Sequence, residues 1–181
     1  MKKLLIPALL SALIIGCSST PIPDETGGAP VESRSGSGSG VAPVVAGGLD
    51  SRGLPKELTD PKSMLSKRSV YFDLDSYEVK DEYKDLVAAH AKYLVNNRSF
   101  KMLLQGNTDE RGSREYNLAL GQKRAEAIKR SLTLLGAKED QLESVSLGEE
   151  KPKNPGRDES AWAENRRGDM LYKAADGRGE F

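Results

Sequence analysis

Cysteine and histidine each occur once in the 181 residues, as Cys17 and His90. A lone cysteine excludes an intramolecular disulfide and a thiolate metal cluster. A lone histidine leaves zinc hydrolases and Cys–His nucleophilic enzymes without their working parts. No metal or cofactor is therefore expected. A surplus of charge is also missing, since 27 Lys and Arg face 27 Asp and Glu. A general nucleic-acid binder needs extra cations to displace phosphate counterions, and this chain has none to spare. Beyond the N-terminus no apolar run approaches the roughly 20 residues of a membrane-spanning helix. The remaining composition, 37% hydrophobic and 30% charged, suits a globular domain.

The N-terminus reads Met1-Lys2-Lys3, then an apolar run from Leu4 to Ile15, then Gly16 and Cys17. A basic end, a short apolar core and a small residue before the cut form a secretory signal. Ile14-Ile15-Gly16-Cys17 resembles a bacterial lipobox, so residues 1–16 are expected to be removed and Cys17 acylated. Acylation also disposes of a thiol that would be reactive in an oxidising compartment. Ser18 rather than Asp follows, as in lipoproteins resident in the outer membrane. Residues 17–58 read as a flexible Gly/Ser/Pro linker, with the repeat Ser35-Gly36-Ser37-Gly38-Ser39-Gly40 at its centre. Such a coil averages about 35 Å end to end and stretches beyond roughly 100 Å. A folded domain is expected over 59–173 and a frayed tail over 174–181.

Within the domain, Ser69 to Asp73 is a β-branched and aromatic strand. Val79, Tyr83, Leu86, Val87, His90 and Leu94 recur at helical spacing, and Asn96-Asn97 closes that helix. Lys101 to Gln105 reads as a buried strand ending at Gly106. Leu118, Gly121, Ala125, Ile128, Leu132 and Leu135 mark an amphipathic helix stopped by Gly136. Glu143 to Leu147 reads as a strand, Ala161 to Asn165 as a short helix and Asp169 to Lys173 as the last strand. Strands alternating with helices predict an α/β or α+β sandwich with helices packed on a sheet.

The segment Gly106 to Ser113 joins a strand to the long helix, the place where open α/β sheets bind ligands. Asn117 and Arg124 are seven apart, two turns on one face, and with Gly121 they form a polar stripe beside the apolar one. If the loop folds back, Asp109 meets Arg124. An acid and a guanidinium facing one space suit a zwitterion, ammonium on the carboxylate and carboxylate on the guanidinium fork. Blander roles stand beside these: Asp109 as a turn cap, Arg124 as a solvated charge, and Asn165-Arg166-Arg167 as either a clamp or a ligand contact. Glu149-Glu150-Lys151 reads as a solvated turn, His90 as a packed core residue, and Trp162 and Tyr172 as packing.

Gly106 to Tyr116, followed by Asn117-Leu118-Ala119-Leu120-Gly121-Gln122-Lys123-Arg124-Ala125, resembles the signature of OmpA-like peptidoglycan-binding domains. Asp109-Glu110-Arg111-Gly112, Val70 to Asp75 and Asn165-Arg166-Arg167 resemble that family's peptidoglycan-associated lipoprotein branch. The similarity spans roughly residues 67–173. It implies a β-α-β-α-β-α-β domain whose helices pack on a mixed four-stranded sheet. It implies a ligand, the diaminopimelate end of a peptidoglycan stem peptide, held non-covalently by Asp109 (ammonium) and Arg124 (carboxylate). Phe72, Asp73, Arg111 and Asn117 would line the site. It implies a binding protein with no catalytic residue, anchored in the outer membrane and facing the periplasm. TolB and the Tol system of envelope constriction and cell division would be its partners. Asn107 stands where the branch usually has His, a departure that loses a ring and a titration. Rival readings are an OmpA-like wall binder with no Tol connection, a peptidoglycan hydrolase using Glu110 or Asp73 as acid, and a structural adhesin.

Overall fold

The computed structural model describes residues 48–181. The expected signal segment, Cys17 and most of the linker lie outside the described residues. The described chain runs α1 (Lys56–Thr59), β1 (Ser69–Tyr71), α2 (Lys84–Asn96), β2 (Lys101–Asn107), α3 (Arg114–Leu134), β3 (Leu142–Gly148), α4 (Glu159–Asn165) and β4 (Arg167–Lys173). Short 3-10 turns at Met64–Ser66, Asp81–Tyr83 and Glu139–Gln141 link them.

The strands form one four-stranded sheet in the order β1-β4-β2-β3. β4 runs antiparallel to both β1 and β2, whereas β2 and β3 are parallel. The sheet is thus mixed, as expected. Register places Val70 beside Gly168, Leu104 beside Met170 and Met102 beside Tyr172. Those residues face α2 and α3 and share one core with Leu86, Ala91, Leu94, Ala125, Ile128 and Leu132. Burying a large aliphatic side chain contributes about 1.5–3 kcal/mol, so this layer supplies the scaffold's rigidity.

The ends of α3 follow local chemistry. Ser113 caps it by accepting from the Tyr116 N–H at 3.2 Å. Gly136, at φ +98°, stops it, since a left-handed residue there costs glycine nothing. The apolar stripe is rotated from the sequence expectation. Leu118 and Leu135 are about half exposed, while Asn117, Leu120 and Arg124 are buried. The polar residues expected beside the stripe are part of the buried face.

Both expected domain boundaries move outward. Leu54 and Leu58, assigned to the linker, are fully buried in the core. The expected tail pairs back onto β4 through a Lys173–Gly179 bridge, and the Glu180 carboxylate accepts from the Tyr172 main-chain N–H at 2.9 Å. The same carboxylate meets Arg52 at 3.1 Å and Arg68 at 3.5 Å, tying the two ends of the described chain together. His90 is the packed core residue expected. Its Nε2 lies 2.9 Å from the Lys67 carbonyl, to which it must donate, so Nδ1 accepts from the Tyr172 hydroxyl at 2.9 Å.

Candidate ligand-binding site

Four chain segments converge at one end of the strands: the loop after β1, the loop after β2, the N-terminal half of α3 and Arg166, the residue just before β4. They enclose a hollow of about 40 Å³ lined by Thr108, Asp109, Arg111, Asn117, Arg124 and Arg166 among others. A cavity needs about 10–15 Å³ of such space to hold one water, so the hollow has room for a small polar group.

Arg124 forms its floor and is fully buried. Its Nε donates to the Ser76 carbonyl at 2.8 Å, Nη1 to that of Asn107 at 2.9 Å and Nη2 to that of Asp73 at 3.1 Å. The guanidinium also lies over the Phe72 ring, 5.2 Å from its centroid. A guanidinium has five N–H donors, and these bonds engage one on each nitrogen. One N–H on each terminal nitrogen remains, a fork suited to a carboxylate. Burial pulls the Arg124 pKa down to about 10, with nearby Asp109 opposing the fall. The group stays charged at neutral pH.

Asp109 is almost fully buried and heavily engaged. Arg111 contributes its main-chain N–H at 3.1 Å and Nε at 3.2 Å to Oδ1, and Nη2 at 2.8 Å to Oδ2. Arg166 contributes Nη1 at 3.3 Å to Oδ2. Burial would raise the Asp109 pKa, but the Arg111 bonds and charge, with Arg166, outweigh it and hold the carboxyl below its ordinary value. Arg166 is itself fixed by the Phe72 carbonyl at 3.2 Å and Glu159 at 2.7 Å.

The OmpA family model matches residues 71–166, which carry this whole constellation. The chain is also 41% identical over 160 residues to the peptidoglycan-associated lipoprotein of Pseudomonas putida, covering 88% of this chain and 90% of that protein. The chain belongs to the OmpA family, in its peptidoglycan-associated lipoprotein branch. The Haemophilus influenzae protein of the same description is 48% identical over 104 residues, 58% of this chain and 68% of its own. Among solved structures, the peptidoglycan-associated lipoprotein from Burkholderia pseudomallei is 59% identical with a TM-score of 0.64, covering 65% of this chain and 99% of that one. The C-terminal domain of Helicobacter pylori MotB reaches a TM-score of 0.56 at 18% identity, over 60% of this chain and 85% of that one, a likeness of fold alone.

In this OmpA-family chain, Asp109, Arg111, Asn117 and Arg124 all reach the hollow. Phe72 and Asp73 do not line it. Phe72 is buried in the core beneath Arg124. The Asp73 side chain is 72% exposed and pairs with Lys80 at 2.7 Å, so only its carbonyl serves the site, by holding Arg124. Glu110 pairs with Arg157 at 3.4 Å outside the hollow.

Several contributors were illegible or left open in the sequence. Glu149, read as part of a solvated turn, accepts from the Asn117 amide and fixes it in the hollow's wall. The Asn-Arg-Arg run divides its labour. The Asn165 carboxamide accepts the Lys153 and Asn154 main-chain N–H groups at 2.7 and 2.9 Å, and Arg166 reaches Asp109. Arg167 turns to the opposite sheet face, where it meets Asp169 at 2.9 Å. Asn107 also points away, its amide 3.2 Å from the Gln105 carbonyl and 3.3 Å from Asp169. Its main-chain carbonyl, not its side chain, serves the site.

Proposed function

We propose that the protein binds peptidoglycan non-covalently and tethers the outer membrane to the wall. Its hollow takes the free end of a diaminopimelate side chain, carboxylate on the Arg124 fork and ammonium on Asp109. The observation that carries this reading is the acid and the guanidinium lining one small hollow. The relatives' description as peptidoglycan-associated lipoproteins supports the ligand class. Cys17 would carry the acyl anchor and residues 17–47 the leash, with the domain on the periplasmic side.

Charge-assisted hydrogen bonds contribute about 1.5–3 kcal/mol each, so two or three give micromolar to millimolar affinity. A leash makes such weakness workable, because it holds the site at an effective concentration of about millimolar next to the wall. Many copies acting together form a strong but exchangeable attachment. The Tol connection is part of the same proposal: mild crosslinking should recover TolB, and recovery of wall fragments without TolB would leave a wall binder alone.

The test is sedimentation with purified peptidoglycan. Asp109→Asn keeps the size and removes the charge, so retention should fall severalfold, by the net worth of the ammonium contact. Arg124→Ala is less informative alone, since it strips partners from three main-chain carbonyls. Arg124→Lys, with folding checked by melting, is the companion variant. Full retention by both folded variants would overturn the site.

A further inference from the structure

The engagement of Asp109 poses a problem for any incoming ammonium. A carboxylate offers about four acceptor sites, and four N–H groups of the protein itself occupy them, three from Arg111 and one from Arg166. We propose that Arg111 is a resident stand-in for the ligand's ammonium, whose guanidinium must leave Asp109 before a zwitterion docks. This rests on the function proposed above and names what sets the affinity of that site.

Arg111, not Arg166, is the group free to yield. The Arg166 side chain is 7% exposed and pinned at both ends, by the Phe72 carbonyl and by Glu159. The Arg111 side chain is 34% exposed. It also has somewhere to go. Its guanidinium already stacks on Trp162, 4.1 Å from the ring centroid, and its Nη1 lies 3.5 Å from Glu159. The stacking and the ion pair persist when the two side-chain bonds to Asp109 break. The main-chain N–H of Arg111 keeps its own bond to Asp109, so the turn holds while the side chain moves.

The exchange trades one cation for another on the same carboxylate. Binding therefore gains only the difference between the two contacts, which keeps the site weak and quickly reversible. The Arg111 pairing also spares the protein a buried, unpaired carboxylate, a costly state. A carboxylate-only molecule needs no exchange. It can sit on the Arg124 fork while Arg111 goes on neutralising Asp109.

Titration calorimetry on the full chain with meso-diaminopimelate and with pimelate, its amine-free counterpart, separates these cases. Arg111→Ala and Arg111→Gln should bind diaminopimelate about three- to tenfold more tightly than wild type, the worth of an ion pair whose arginine is partly solvent-screened. They should bind pimelate more weakly, because Asp109 is then unmasked against it. Trp162, the single tryptophan of the chain, should change its emission when diaminopimelate binds the wild type and stay unchanged with pimelate. Weaker diaminopimelate binding by both variants, with wild-type binding intact, would overturn this inference alone. No binding by the wild type would overturn the function proposed above and this inference with it.

Discussion

Arg124 joins a structural role to the proposed one in a single side chain. Its three carbonyl bonds lock the loop after β1 and the end of β2 to α3. Asp109 is likewise held in place by Arg111 and Arg166, so both charges of the proposed site are fixed by their own partners. His90 carries a different consequence, for stability. Burial pulls its pKa from 6.5 down to about 4, with the Lys67 carbonyl bond opposing and the Arg68 charge adding to the fall. The folded state therefore keeps His90 neutral, whereas the unfolded chain takes up its proton below pH 6.5. Its contribution is complete above that value and is lost as pH falls from 6.5 through 4, at most about 3 kcal/mol. Melting the wild type and His90→Gln at about pH 7.5 and about pH 5 reads this directly. The wild type should lose several degrees more than the variant between the two conditions. Equal losses would show that His90 does not titrate in this way.

At the scale of elements, the site depends on how closely α3 lies on β2. Gly106 and Gly121 sit where the two backbones touch, and a Cβ on Gly106 would overlap the Gly121 carbonyl oxygen. Only backbone faces backbone there, so no side chain can swing aside to relieve it. Gly106→Ala must push α3 outward, at a cost of about 3 kcal/mol or more. Asn117 and Arg124 ride on that helix. The variant should therefore lose melting temperature and diaminopimelate affinity together. Unchanged melting and binding would show that the close approach is not needed. The helix also shows where periodicity misleads. Leu118 satisfies a three-four spacing with Gly121 and Ala125, yet it lies one position off the buried face centred on Leu120, Arg124 and Ile128. A buried arginine is invisible to a hydrophobic pattern, since its burial depends on carbonyls contributed by other segments.

At the scale of the whole molecule, what proved legible in the sequence was whatever is written locally. The strand, turn and cap signals located the sheet and its helices, and the loop from Gly106 to Ser113 stood out by composition alone. The resemblance supplied the mixed sheet. The domain ends were hidden because Leu54 and Leu58 are isolated apolar residues among Pro and Gly, and Glu180 acts only through partners at 52, 68 and 172. Phe72 and Asp73 were assigned to the site from the family pattern, yet their side chains serve the core and the surface. Contacts made across more than a hundred residues leave no periodic trace. The proposed function requires a doubly charged headgroup to sit between Asp109 and Arg124. A crystal of the protein soaked with a diaminopimelate-containing tripeptide tests it most directly. The ligand carboxylate should lie on the two terminal nitrogens of Arg124 and its ammonium on Asp109, with the Arg111 guanidinium withdrawn onto Trp162. A ligand bound elsewhere, or an empty hollow at saturating peptide, would contradict it.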